Sequence, residues 1–222
     1  NRRCFHEHLT ALVAETSRTD RDFHLALLDV DTFKEINDSF GHFAGDELLR
    51  TIALRLRAFK DGRLFISRLG GDEFGLILAG ASSAEADAFF ERVQESIRRP
   101  IRIGGNMRRC SASVGLAIFP RHGRDAESLF KAADLALYHA KALGRDRVEP
   151  FQPQLKDVAD RKSELLVEIE DGLRLEAFEL HYQPIVPVAR RRPVSLEALM
   201  RWRHPGRGLL TPAAFQEGFA DP

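Results

Sequence analysis

The sequence is short of cysteine, of net charge and of long apolar runs, and each shortage removes a class of protein. Only two cysteines occur, Cys4 and Cys110, far apart and without metal-ligand spacing. They offer neither a disulfide framework nor a cysteine-built metal site, and are expected to be free thiols in a reducing compartment. Lysine plus arginine and aspartate plus glutamate number 33 each, so the formal net charge is zero. That balance supplies no global pull toward nucleic acid or membrane, and neither is an expected partner. The longest apolar runs fall far short of a membrane span, and no signal peptide is visible. The expected location is the cytoplasm, with any membrane anchor of the parent protein outside these residues. Fixed-period repeats and low-complexity tracts are also lacking. The 222 residues suffice for one full domain and part of another. The chain starts at Asn1 and stops on "FADP", so a piece of a longer protein is expected.

What is present is an alternation of helical and strand patterns. Phe5, Leu9, Leu12 and Val13 have helical spacing, which predicts an amphipathic helix over 1–17. "FHLALLDVD" (23–31) reads as a strand buried on both faces. In "GDELLRTIALRLRAF", Leu48, Leu49, Ile52, Leu56 and Phe59 share a helical face. Residues 63–69 and 73–79 predict a hairpin turning through Gly70-Gly71. Ser82 and Glu85 form a candidate capping box for a helix carrying Ala86, Phe89, Phe90, Val93 and Ile97, ended by Pro100. "CSASVGLAIF" (110–119) alternates like a strand. Residues 125–144 predict a helix with Leu129, Phe130, Ala133, Leu137 and Ala140 inward, closed by Gly144, and "RVEPF" a last short strand. This order implies an α/β fold, helices covering a central mixed or antiparallel sheet. Residues 152–178 begin polar and become a helix with Leu165, Leu166, Ile169 and Leu173, so a domain boundary is expected near 150–160. Two strand-like runs follow, "ELHYQPIVPV" and "PVSLEALMRW", split by the basic turn "ARRR".

Acids sit where this pattern is driest. Asp29 ends the buried strand, and a carboxylate there needs a partner: an arginine, a backbone turn or a metal. Asp31 points to the same side by alternation. Asp72 and Glu73 lie at the turn of the hairpin. If these strands are neighbours, up to four carboxylates converge, and repel unless a cation binds. Carboxylates of this kind suit Mg²⁺ working with substrate phosphates. Solvated turn residues are the alternative, favoured for Asp31 alone but not for Asp29, Asp72 and Glu73, which apolar runs flank. Lys34, Lys141 and Arg145 are candidate phosphate donors, although the helix dipole also favours cations at 141 and 145. The backbone of Thr32, Phe33 and Lys34 could offer N–H groups at a helix start. Asn37 and Asp46 are candidates for reading a base. A carboxylate accepting from adjacent N–H groups of guanine would meet only an acceptor at the equivalent ring nitrogen of adenine. Asp46 could equally be an acidic cap of the 45–58 helix.

Four stretches, "LLDVDTFKEINDSFGHFAGDELL", "RLGGDEFGLIL", "SVGLAIFP" and "ADLALYHAKALGRDRV", taken in order from Asn1 to Phe151, resemble the GGDEF domain of diguanylate cyclases. The resemblance implies a fold related to the nucleotidyl cyclases and the polymerase palm. It implies condensation of two GTP into cyclic di-GMP with release of two pyrophosphates. By position, Asp29, Asp72 and the Val30 carbonyl would hold Mg²⁺ (or Mn²⁺), supported by Glu73. Asp72 would help deprotonate the attacking 3′-hydroxyl. Asn37 and Asp46 would hold guanine, Lys141 and Arg145 the terminal phosphates with Lys34 nearby, and Thr32 and Phe33 would add backbone N–H groups. Each domain holds one GTP, so the family reacts as a homodimer. Its inhibitory product site, Arg-x-x-Asp, falls here on "DGRL" (61–64), with Asp61 for the arginine and Leu64 for the aspartate. No inhibition through that site is expected. "GRDR" (144–147) stands where "GRNR" is usual.

The tail, "FELHYQPIVPV…PVSLEALMRWRHPGRGLLTPAAF", resembles the opening of an EAL domain, the cyclic di-GMP phosphodiesterase barrel. The expected domains are therefore 1–151 (GGDEF), 152–178 (linker and helix) and 179–222 (truncated EAL). Glu197 would be one metal ligand of that barrel and Arg201 a contact to the product's phosphate. The remaining ligands are absent from these residues, so no phosphodiesterase activity is expected of them. Three functions stay open for the first domain: an active cyclase, a GTP-binding module that tunes the downstream phosphodiesterase, or, ranked last because such domains tend to lose these acids, a purely structural or dimerising domain.

Overall fold

The computed structural model describes residues 1–17, 19, 21–59, 62–187 and 195–219. The chain divides into two compact units, Asn1–Lys156 and Asp157–Pro222. In the first, α1 (Arg2–Thr16) leads to β1 (Phe23–Val30), α2 (Phe33–Phe40) and α3 (His42–Arg57). The hairpin β2 (Leu64–Gly70) and β3 (Glu73–Ala79) follows, then α4 (Ser83–Arg98). A small hairpin, β4 (Ile101–Ile103) and β5 (Asn106–Arg108), precedes β6 (Ala112–Phe119), α5 (Ala126–Ala142) and β7 (Val148–Pro150).

The five-stranded sheet has the order β2-β3-β1-β6-β7. Only β6 and β7 run parallel; the other pairs are antiparallel. Strand β1 occupies the middle and is buried at all eight positions, as its unbroken apolar run demands. Its alternate residues serve two cores. Phe23, Leu25 and Leu27 face α1 and α5, while Ala26, Leu28 and Val30 face α3 and α4. Strand β6 is buried almost throughout rather than alternating, because helices cover both of its faces. Alanines of α5 bring that helix down on the sheet. At Gly115 of β6 a Cβ would lie 2.1 Å from the Ala133 carbonyl oxygen and 2.2 Å from the Leu137 nitrogen.

Several local expectations need adjusting. The helix expected from Gly45 starts earlier, at His42, and α2 precedes it as a separate element. The patterns of α2 and of the β4–β5 hairpin are weak in the sequence because α2 has no fully buried residue and each strand of the hairpin is only three residues long. The β2–β3 turn runs through Gly71-Asp72, with φ +47° at Gly71, and Gly70 stays in the strand. The Ser82–Glu85 capping box forms as read, and Asp125 with Ser128 adds a second for α5. Phe59 lies beyond α3 but packs edge-on against Phe89 at 5.7 Å.

The second unit is built on α6 (Gln154–Arg174), which starts just before the division. Strands β8 (Phe178–Ile185), β9 (Ser195–His204) and β10 (Gly208–Leu210) form a sheet of order β10-β9-β8. The two strand-like runs of the tail thus pair with each other. Ile169, Trp202 and Phe215 make a small core. Leu166 and Leu173, expected inward on α6, are exposed, since the small core meets only the face of the helix that carries Leu165, Ile169 and Gly172. The "ARRR" turn lies outside the described residues. No described helix is long and apolar enough to cross a membrane.

Two expectations follow from the core. His24 of β1 is fully buried, and neither ring nitrogen has a partner among the described residues. Burial lowers its pKa, against an opposing pull from Asp22 and Asp87; His122, also lowered by burial, feels His24 as well. A lowered histidine contributes stability above its unfolded pKa of about 6.5, and this is lost as pH falls below that value. The melting temperature of His24→Leu is therefore expected to fall less than that of the unaltered chain between pH 7.5 and 5.5; equal slopes would contradict this. Gly115→Ala is expected to cost about 3 kcal/mol in denaturant unfolding, because the clash is with helix backbone that cannot rotate away. A cost near zero would mean that α5 is free to shift.

Candidate functional site

The acids gather at the end of β1. Asp29 is the direct cross-strand partner of Glu73 on β3, and the Val30 amide donates to the Asp72 carbonyl at 3.3 Å. The β2–β3 turn is thereby fixed beside the end of the central strand. Asp29 is buried, and its carboxylate accepts from Lys141 Nζ, in the last turn of α5, at 2.9 Å. Burial pushes the Asp29 carboxyl above its ordinary range. Lys141 opposes that push, while Asp72 and Glu73 add to it. Glu73, half-buried, accepts from Arg2 Nη2 of α1 at 2.9 Å.

Two of these participants carried no signal in the sequence reading. Arg2 is one. Asp134 is the other, seven residues and so two helical turns before Lys141 on α5. It is open to water on one side, yet desolvation and then Glu73 push its carboxyl upward, against Lys141 and Arg2. The periodicity that places Lys141 at the site could have found Asp134.

The other candidates lie around this cluster. The end of β1 leads through Asp31 to Thr32, which caps α2 with φ +57° and makes no side-chain capping bond. Thr32 and Lys34 are exposed and Phe33 is half-buried against the core. Asn37 of α2 presses on α3 where Gly45 lacks a side chain: a Cβ there would lie 2.0 Å from Asn37 Oδ1. That oxygen is buried without a partner among the described residues. The adjacent Asp46 is exposed and lines a cleft of about 650 Å³ between α3 and β2, with Leu49, Arg50, Ile66 and Arg68. Asp46 is the fifth residue of α3, too far in to be its cap. Arg145 follows α5 with φ +64°.

Asp31 is not the solvated turn residue that its sequence position suggested. It is 3% exposed, and both carboxylate oxygens are taken by Ser111, Ser113 and the Asp146 amide. Those donors come from β6, the residue just before it and the α5–β7 turn, and leave the carboxylate fully bonded within the protein. Asp31 is therefore not available to join the other acids.

A divalent metal fits the donor chemistry. Asp29, Asp72, Glu73 and the Val30 carbonyl are hard oxygen donors, and the upward push on Asp29 marks a place where added positive charge would be favoured. Among the described residues, however, no three acids already surround one point. Lys141 holds Asp29 instead. In the second unit, Glu197 is exposed on β9 opposite Gln183, and Arg201, on the same face, donates to the Met200 carbonyl at 2.8 Å.

Comparison with known proteins bears on the family and the fold. The family described as "Diguanylate cyclase, GGDEF domain" matches residues 1–147, and the EAL domain family matches residues 166–221. The chain is 37% identical over 215 residues to the bifunctional diguanylate cyclase/cyclic di-GMP phosphodiesterase MucR of Pseudomonas aeruginosa, covering 97% of this chain and 31% of that protein. It is 36% identical to the cyclic di-GMP phosphodiesterase NbdA of the same organism, covering 97% of this chain and 28% of NbdA. The chain thus spans about a third of the length of such relatives. Among solved structures, the GGDEF domain of YfiN (TpbB) from P. aeruginosa is 34% identical, with a TM-score of 0.66 over 68% of this chain and 96% of that one. The GGDEF domain of DgcB from Caulobacter crescentus, in complex with c-di-GMP, is 28% identical, with a TM-score of 0.64 over 68% and 90%. The chain belongs to the GGDEF family of diguanylate cyclase domains, and its tail is the start of an EAL domain.

Proposed function

We propose that residues 1–151 are a diguanylate cyclase domain that condenses two GTP into cyclic di-GMP. In each half-reaction the 3′-oxygen of one GTP bonds to the α-phosphorus of the other. The bond from that phosphorus to the bridging oxygen breaks, and pyrophosphate leaves. The observation that carries this reading is the Asp29–Lys141 contact with Asp72 and Glu73 beside it. Acids for a divalent cation and an ammonium for phosphate meet at one end of the central strand.

Mg²⁺ (or Mn²⁺), held by Asp29, Asp72, Glu73 and the Val30 carbonyl, would neutralise phosphate charge and ease loss of the hydroxyl proton. Asp72 helps take the proton from the attacking 3′-hydroxyl. Lys141 and Arg145 bind the terminal phosphates with Lys34 nearby, and the first amides of α2, at Thr32 and Phe33, donate to them. Asn37 and Asp46 hold guanine; the unpartnered Asn37 oxygen is an acceptor suited to a base N–H. Each domain presents one GTP, so ring closure requires two copies face to face, and the working unit is a homodimer.

A second reading is favoured by relatives with the same two domains whose names give only phosphodiesterase activity, NbdA and the E. coli protein PdeR. Here the domain binds GTP and tunes the EAL domain of the parent protein without making product. Residues 179–222 then supply Glu197 and Arg201 to a phosphodiesterase site completed by further chain.

Incubation with GTP and Mg²⁺ followed by chromatography separates the two. Cyclic di-GMP is expected, reduced on the order of 100-fold or more in Asp72→Ala. GTP binding without product at concentrations where dimers form would favour the second reading. A further expectation concerns inhibition. Leu64 is buried in the core, Asp61 lies outside the described residues, and neither can act as the family's product-binding pair. Initial rates are expected to show no inhibition by cyclic di-GMP beyond competition with GTP; non-competitive inhibition would contradict this.

A further inference from the structure

The Asp31 carboxylate accepts more hydrogen bonds than that of Asp29, yet none of them comes from a residue of the proposed site. Its Oδ1 accepts from Ser113 Oγ at 2.7 Å, and its Oδ2 from Ser111 Oγ at 2.6 Å and the Asp146 amide at 3.1 Å. Its own amide donates to the Ser111 carbonyl at 3.0 Å. One buried carboxylate therefore joins the end of β1, the start of β6 and the turn after α5.

The turn is anchored from its other side too. Asp146 Oδ1 accepts from Arg98 Nε at 2.8 Å and Gln94 Nε2 at 3.3 Å, both on α4, and the Asp146 carbonyl accepts from Arg98 Nη2 at 2.8 Å. Gln94 also donates to the Ala112 carbonyl of β6 at 3.1 Å. Three of the four non-glycine residues with positive φ among the described residues adjoin this network: Thr32 at +57°, Arg145 at +64° and Asp146 at +50°. Side chains disfavour that conformation, most of all a β-branched one such as Thr32, so surrounding contacts must impose it.

We infer that Asp31, together with Asp146 and Arg98, is a positioning clamp that sets the Thr32–Lys34 backbone against Arg145. The inference rests on the proposed GTP site and deepens it. Both arms aimed at the terminal phosphates hang from one carboxylate: Thr32 follows it directly in the chain, and Arg145 directly precedes the residue whose amide it holds. The guanine contacts, Asn37 on α2 and Asp46 on α3, make no side-chain hydrogen bond to this network among the described residues. Loosening the clamp therefore weakens the hold on the triphosphate and spares the base. The half-exposed Arg98–Asp146 pair adds little energy of its own and acts through geometry.

The test is equilibrium titration of the chain with GTP and with GMP in Mg²⁺, with circular dichroism as a check on folding. The unaltered protein is expected to prefer GTP. Asp31→Asn, Arg98→Ala and Asp146→Ala are expected to lose about tenfold in GTP affinity with GMP affinity unchanged. Asp146→Asn keeps an acceptor for Arg98 and tolerates positive φ, so it should retain the full preference. Should Asp31→Asn fail to fold, the Arg98 and Asp146 variants carry the test, since their side chains are half exposed. An unchanged GTP-to-GMP ratio in folded Arg98→Ala and Asp146→Ala overturns the clamp, as does equal loss of both nucleotides. Absence of any GTP preference in the unaltered protein is a different failure: it overturns the GTP site itself, and the clamp with it.

Discussion

Strand β1 is buried on both faces and leads directly into two buried carboxylates, and the cost of that burial shapes everything around it. A carboxylate taken out of water must find compensating charge or hydrogen bonds. The two acids find different answers. Asp31 is closed off by two serine hydroxyls and a backbone amide, all fixed by β6 and the α5–β7 turn. Asp29 is met by a single lysine at the end of α5, with Asp72 and Glu73 crowding it. The first solution is saturated and structural. The second is one ion pair beside further acids, an arrangement in which a divalent cation and a phosphate can replace the partners present.

The two layers of helix give this end of the sheet its division of labour. On one face, α1 and α5 bring Arg2 and Lys141 to the acids. On the other, α2 and α3 cross closely at Gly45, placing Asn37 next to Asp46 beside an open cleft. Gly115 lets α5 sit directly on the sheet backbone, so Lys141 is placed by main-chain contact rather than by a compliant side chain. The small core of the second unit leaves Leu180, Tyr182, Leu196 and Met200 exposed on its sheet.

The long periodic elements were legible because burial writes itself into the sequence. The runs that became β1, α3, α4 and α5 were read correctly to within a few residues, as was the capping box at Ser82. Helix α2 was not separated from α3, because it is only eight residues long and none of them is fully buried. The acids, Lys141 and the resemblance of four motifs pointed to the site. The role of Asp31 was illegible, since its partners lie some 80 and 115 residues further along the chain. Nothing local distinguishes a saturated carboxylate from a solvated one. Asp134 and Arg2 were missed for a related reason: each is an ordinary helix residue until the helices are docked.

The central claim is that the end of β1, with the neighbouring helices, holds a guanine nucleotide through its phosphates and its base together. Calorimetric titration with GTP and with ATP in Mg²⁺ addresses it most directly. The account predicts that GTP binds and that ATP, lacking the N–H groups that Asn37 and Asp46 would engage, binds at least tenfold more weakly. Equal affinity for the two nucleotides, or no binding of either, would contradict it.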